Sequence, residues 1–193
     1  MKKRLIISLL VIFLVCSTII LARVAPKNEI VSFISSVYSA RQFRDTPVGD
    51  HLIEQILIAG HKAPSARNLQ PWHFTVVKDK TIINQVMGNI SINDGNVLIV
   101  VSGPADPARF SIDFDTALAT QNMFLAAQAL GLAARMYAIP IPAINENHLD
   151  TLKIPQGYRA YIVLRIGYEA DGIDAVTAAS PRQPLETKVN WIP

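Results

Sequence analysis

Past residue 28 the hydrophobic positions switch between two periods, and the switches outline the elements. After the break at Pro26-Lys27-Asn28, Glu29 to Val37 has the spacing of a short helix. Between Gly49 and Lys62, Leu52, Ile56 and Ala59 share one helical face, with Ile53 and Leu57 beside them, which predicts an amphipathic helix. Asp50 falls in its first turn, where an acid suits the helix dipole. The runs Trp72 to Lys78, Val97 to Ser102 and Tyr158 to Gly167 are rich in β-branched or aromatic residues and predict strands, and Ala133 to Ile139 predicts a weaker fourth. Asp113 to Leu132 is the longest helical stretch, and Gly131 is placed to end it. Its second half, Met123 to Leu130, is apolar almost all round and must be covered on most sides, by a core or by a second subunit. Helices and strands interleave irregularly around few strands, so the predicted class is α+β.

The N-terminus follows a different pattern. Leu5 to Ala22 carries no charge and follows Lys2-Lys3-Arg4. A helix of that length reaches about 27 Å, close to the thickness of a hydrocarbon core. This predicts an uncleaved single-pass anchor, with residues 1–25 set apart from a domain over 26–193. The stronger basic cluster before the helix places that domain outside the cytoplasm. The alternative is a secretory signal cleaved after Ala22 or Ala25, although Pro26 disfavours the second site.

Composition narrows the function. The 193 residues are 50% hydrophobic and carry a formal charge of +3. Setting aside Lys2, Lys3, Arg4 and Arg23 leaves 14 basic against 15 acidic side chains. The positive excess is therefore local, and no nucleic-acid face is implied. The single cysteine, Cys16, excludes an intramolecular disulfide framework and a cysteine-rich metal site. No GxGxxG, phosphate loop, GxSxG elbow or HExxH is present, and His51, His61, His73 and His148 are scattered. Asp113 and Asp115 point to different sides of their helix and read as favouring its N-terminus. Catalysis must then come largely from a bound cofactor, with no metal site expected.

Two motif clusters suggest which cofactor. Ser39-Ala40-Arg41-Gln42-Phe43-Arg44, followed by Pro47-Val48, resembles the opening motif of the FMN-dependent nitroreductase family, written RRSxRxF with a following proline. Ala63-Pro64-Ser65-Ala66-Arg67-Asn68-Leu69-Gln70-Pro71-Trp72-His73-Phe74 resembles that family's PSxxNxQPWxF loop leading into a strand. Residues 115–132, Arg165 to Tyr168 (RIGY) and Pro181 to Trp191 are similar to its long interface helix, its strand end and its C-terminal signature, in the family's order. The resemblance covers roughly residues 30–192. It implies a small mixed sheet flanked by helices, a homodimer with sites formed between subunits, and FMN reduced by NADH or NADPH for an electron-poor acceptor such as a nitroaromatic or a quinone.

The chemistry of FMN makes the pattern intelligible. Its phosphate carries nearly two negative charges, its ribityl chain is rich in hydroxyls, and its pyrimidine edge gains negative charge on reduction. Arginines suit the first and last, and serine and asparagine suit the middle. By resemblance Ser39, Arg41, Pro64, Ser65, Asn68 and Arg182 bind the cofactor, with Arg182 at the phosphate and Arg41 stabilising the reduced ring. Taken singly, the serines are ordinary turn caps and the arginines ordinary surface residues; the joint pattern is what points to a flavin. The chain departs from the family at Val37, where an arginine is usual, and in the short stretch from Val101 to Asp113, where larger relatives insert a lid. A reductive dehalogenase of the same superfamily and a non-catalytic flavin-binding module are the competing readings. The proline-rich segment from Gly172 onward is expected to wrap a partner subunit.

Overall fold

The computed structural model describes residues 28–106 and 111–192. The described residues fall into two compact units, divided between Ser36 and Val37. In the first, helix α1 (Glu29–Ser36) is started by Asn28, whose Oδ1 accepts the backbone N–H groups of Ile30 and Val31 at 3.0 and 3.1 Å. That is a helix N-cap, satisfying donors that have no partner within the helix.

The second unit is built on four strands, β1 (His73–Val77), β2 (Val97–Pro104), β3 (Ala133–Tyr137) and β4 (Tyr158–Gly167), in the order β1-β2-β4-β3. Every strand pair is antiparallel, so the expected mixed sheet is corrected to an antiparallel one. The central strand β2 is buried on both faces, and its alternate residues serve two separate cores. Val97, Ile99 and Val101 pack with Leu164 and Ile166 beneath helices α2 (Asp50–His61) and α4 (Ser111–Ala129). Leu98, Val100 and Val163 pack with Ile83, Val86 and Ile144 beneath α3 (Lys80–Met87) and α5 (Ile141–Asn147).

Packing holds these helices more than propensity does, since isolated helices of 12 residues such as α2 are marginal in water. The α2 face carrying Ile53 and Ile56 is buried against α4, and Gly60 sits so close that an added Cβ would stand 2.5 Å from Met123 Cγ. The Asn122 amide donates to Ala59 O at 3.2 Å in the same crossing. Helix α3 begins at Asp79, whose carboxylate accepts from Thr81 N and Ile82 N. Asn145 clamps α5 to β4 by bonding both the N–H and the carbonyl of Ala160.

The expected N-terminal transmembrane helix does not stand, nor do the membrane location and extracytoplasmic placement drawn from it. Among the described residues no helix is long and apolar enough to cross a membrane. The run from Leu5 to Ala22 lies outside the described residues.

Candidate functional site

The opening motif is pinned on both flanks. Phe43 bridges Glu169 in antiparallel fashion, Arg44 N donates to Tyr168 O at 3.0 Å, and Ala170 N donates to Gln42 O at 3.2 Å. On the other flank Ala40 N donates to Ala134 O of β3 at 3.1 Å. Ala40 and Phe43 are thereby buried, while Ser39 and Arg41 face outward. Tyr38 adds a side-chain tie: its hydroxyl donates to the Glu169 carboxylate at 2.5 Å. Partial burial, and then this bond to a negative acceptor, push the phenol pKa up to about 12. Arg41 Nη2 donates to Ser180 Oγ at 2.8 Å, which brings the C-terminal segment onto the opening motif and leaves Arg182 exposed two residues further on.

The second loop, residues 64–70, holds an unusual backbone. Arg67, Asn68 and Gln70 have φ of 54°, 56° and 47°, and Lys153 alone joins them among described non-glycine residues. Such a cluster of left-handed conformations persists only where the surroundings impose it, and it marks functional loops more often than idle ones. Two anchors impose it here. Ser65 Oγ accepts from Gln70 N at 3.0 Å, closing the loop, and Asp115 of α4 accepts from Ala66 N at 3.0 Å. Asp115 is 4% exposed and its Oδ2 is buried without a partner, so it is a loop anchor and not the dipole-favouring surface acid expected. Its register with buried Ala119 and Met123, at successive four-residue steps, is the sequence signal for that burial. Asp113 does stay at the surface, paired with Arg159 at 3.3 Å.

Helix α4 keeps the two clusters apart. Gln128 Oε1 accepts from Tyr38 N at 3.3 Å at one end, and Asp115 holds Ala66 near the other. Thirteen residues at 1.5 Å rise separate them by about 20 Å along the helix. Ser39, Arg41 and the segment bearing Arg182 are brought together; Pro64, Ser65 and Asn68 are not brought to them within one chain.

Sequence reasoning passed over a third cluster. Arg165 of β4 is 4% exposed, and its guanidinium carbon lies 3.8 Å from the centroid of the Phe43 ring. Its Nε donates to Asn96 Oδ1 and its Nη2 to Asn93 Oδ1, both at 2.8 Å. Asn96 passes the contact on by donating to Arg44 O at 3.1 Å, and Asn93 by donating to Asp45 Oδ1 at 3.1 Å. Gly167 belongs to the same cluster, since a Cβ there would stand 2.7 Å from Asn96. The RIGY stretch thus acquires a physical meaning: Arg165 and Gly167 set Asn96, and Tyr168 lies under the Arg44 guanidinium at 5.3 Å. Burial pulls the Arg165 pKa down, which reports an uncomfortable cation. Burying a cation is costly, and the charged hydrogen bonds and the ring face offset that cost, so the arginine is a poor choice for stability alone beside a well-packed apolar side chain. An arginine interrupting the apolar run Ile162-Val163-Leu164 was the available signal.

Beside the second loop lies a cleft of about 450 Å³ lined by Leu57, Ile58 and His61 from the end of α2, by Gln70, and by Trp72, His73 and Phe74. The Trp72 and Phe74 rings are parallel within 7° at 6.5 Å, and Trp72 Nε1 donates to His61 Nδ1 at 3.3 Å. Elsewhere on the chain Trp191 and Ile192 are 91% and 92% exposed, so the tail finds no cover within the chain.

Comparison with known proteins bears on both clusters. Residues 34–90 match the model of the nitroreductase family. The chain is 30% identical over 156 residues to an Archaeoglobus fulgidus protein named for NADH dehydrogenase and NAD(P)H nitroreductase activity, covering 76% of this chain and 89% of that one. It is 25% identical over 186 residues to the FMN reductase [NAD(P)H] of Bacillus subtilis, covering 82% and 72%. An FMN complex from Desulfovibrio desulfuricans superposes with a TM-score of 0.74 at 27% identity, covering 86% of this chain and 98% of that one. A Bacteroides fragilis nitroreductase with bound FMN shares the fold at a TM-score of 0.73 and 21% identity, covering 86% and 100%.

Proposed function

The chain belongs to the nitroreductase family, and on that premise we propose that Ser39, Arg41 and Arg182 of one subunit and Pro64, Ser65 and Asn68 of a second copy together hold FMN. The protein is an FMN-dependent oxidoreductase with NAD(P)H as donor and a small-molecule acceptor. The separation of the two clusters by the length of α4 carries the proposal for the site: each is anchored in place, and neither is complete alone. The FMN-binding domain is proposed to span residues 26–193, of which 37–193 form one compact unit.

The residues present suit the group. Arg41 and Arg182 are exposed cations on adjoining segments, matching a phosphate and a ring edge that gains charge. Ser65 accepts Gln70 N–H and keeps its own hydroxyl proton to donate, and Asn68 is exposed in the strained loop. When bound, FMN supplies the hydride transfer, from NAD(P)H to an electron-poor acceptor such as a nitroaromatic or a quinone. The chain's task is then to orient the rings and stabilise negative charge. Arg41 does the latter, because a fixed cation acts most strongly in a water-poor site. Val37 leaves one cation fewer than the family pattern, so affinity rests more heavily on Arg41 and Arg182.

The proposed assembly is a homodimer. Ile58, Phe114 and Leu118 on α2 and α4 are exposed large apolar side chains, which a second copy would cover. The cleft at Trp72 and Phe74 and the free edge of β1 would receive the exposed tail of that copy, with Trp191 and Ile192 as its apolar anchors. Titrating FMN into the purified protein tests the central claim. Fluorescence quenching, followed by bleaching of the bound flavin with NADH or NADPH, is expected, and a protein that does neither is not this enzyme.

A further inference from the structure

We infer that Arg165 is a positioning residue for the flavin site: its buried guanidinium sets the backbone of the opening motif, and through it the Arg41 cation. This rests on the assignment of Arg41 given above.

The last two residues of the motif and the one that follows it end on this one side chain. Phe43 lies against its face at 3.8 Å, Arg44 is reached through Asn96, and Asp45 is reached through Asn93. Asp45 also accepts from Asp94 N at 2.8 Å, so the loop carrying Asn93 and Asn96 is fixed by the same contacts. The close approach of Gly95 to Thr46 and Pro47, where a Cβ would stand 2.6 Å from Pro47 N, continues the junction. Arg41 lies two residues upstream of Phe43, with its other flank held at Ala40 and Tyr38. A shift at Phe43 is therefore passed directly to Arg41.

Stability does not explain a cation at this place. Its hydrogen-bond partners Asn96, Asn93, the Ser91 carbonyl and the Tyr137 hydroxyl are neutral, Arg135 stands directly opposite on β3, and the anion that favours the charge, Asp45, belongs to the stretch that the arginine holds. Like charges facing each other across a strand pair repel, and an apolar side chain would fill the space without that penalty. What an apolar residue cannot supply is the planar fork that reaches two asparagines while stacking on a ring. Direction is what the arginine contributes, and the part it directs is the motif.

The test uses the full chain as FMN holoprotein, with Arg165→Met, Arg165→Lys, Arg41→Ala and the double variant Arg165→Met/Arg41→Ala. FMN affinity is read by titration and the flavin midpoint potential by redox titration. Arg165→Met is expected to weaken FMN roughly ten-fold and to lower the potential in the direction of Arg41→Ala. Arg165→Lys, which keeps the charge without the fork, should recover only part. The double variant should match Arg41→Ala, because the effect of Arg165 runs through Arg41. Wild-type affinity and potential in a folded but less stable Arg165→Met would overturn the inference, as would full additivity in the double variant. If Arg41→Ala changes neither quantity, the assignment of Arg41 is what fails, and the positioning role falls with it. Should Arg165→Met not fold, half-buried Asn93→Ala cuts the link to Asp45 alone; a smaller shift the same way supports the inference, and wild-type values overturn it.

Discussion

Asp115 and Gln128 lie thirteen positions apart on one helix, and each side chain accepts a backbone N–H from a different motif cluster, Ala66 at one end and Tyr38 at the other. The helix acts as a spacer of about 20 Å, and in the proposed homodimer the clusters meet across a two-fold axis that sets one subunit's second loop against the other's opening motif.

Complementation between two weakened variants follows from that arrangement. Arg41→Ala damages the opening motif and Asn68→Ala the second loop, and each homodimer should bind FMN more weakly at both sites. In a mixed dimer one site collects both lesions and the other collects none. Refolding an equal mixture should then restore about a quarter of the wild-type FMN sites, counted by bound flavin per subunit at an FMN concentration that fills the wild type and leaves either parent variant largely empty. A mixture that binds no more FMN than its parents would place each site within one chain.

Asp115 gives a prediction in which affinity and stability part company. Removing its carboxylate loses a charged hydrogen bond to Ala66, of about 1.5–3 kcal/mol, but also removes a buried oxygen with no partner, whose desolvation cost is similar. Asp115→Ala should therefore leave the melting temperature within a few degrees of wild type. The second loop, freed to leave its three positive-φ conformations, should bind FMN several-fold more weakly. Calorimetry and FMN titration on the same sample decide the matter: unchanged affinity would mean that Ser65 alone holds the loop.

How far the sequence carried varied with the physics of each element. Strand β4 was read to its exact ends because its run is long and apolar, and α4 was read to within a few residues for the same reason. Helices α3 and α5, at 8 and 7 residues, mix polar residues or a proline into runs too short for a clear apolar stripe, although Asp79 ahead of Lys80-Thr81 was a cap in plain view. The opening motif and second loop were legible as motifs, whereas their separation was not, since spacing along a chain says nothing of which end of a helix each reaches. Asp115 and Arg165 escaped because charged residues are read as surface by default, and only the apolar register around them argues otherwise.

Tyr38 carries a pH dependence whose sign is fixed. Its folded pKa of about 12 exceeds the ordinary 10.0, through burial first and the bond to Glu169 second, so folding favours the neutral phenol. The resulting stabilisation is present below pH 10 and is lost as pH rises through about 12. Chemical denaturation at intervals from pH 9 to 12 should show stability falling across that window, and Tyr38→Phe should flatten the part owed to this group. An identical fall in Tyr38→Phe would assign the loss to other groups.

Arg41 and Arg182 are proposed to divide the work of binding and tuning, and the two tasks are separable by thermodynamics. A cation at the phosphate meets the same charge whether the flavin is oxidised or reduced. Arg182→Ala should therefore weaken FMN while leaving the midpoint potential almost unchanged. Loss of a charged hydrogen bond costs about 1.5–3 kcal/mol, so roughly ten-fold or more in affinity is expected. A cation at the pyrimidine edge meets more negative charge after reduction, so Arg41→Ala should lower the potential as well as weaken binding. The bond from Arg41 to Ser180 joins the two residues' segments, so Ser180→Ala serves as a control: it breaks the tie but removes no charge, and it should move the potential less than Arg41→Ala does. Placing an arginine at the departure from the family pattern, in Val37→Arg, should recover part of the affinity lost in Arg182→Ala. Redox titration and FMN titration of the four variants give the answer. A potential shift in Arg182→Ala with none in Arg41→Ala would exchange the two assignments, and no effect in either would remove both from the site.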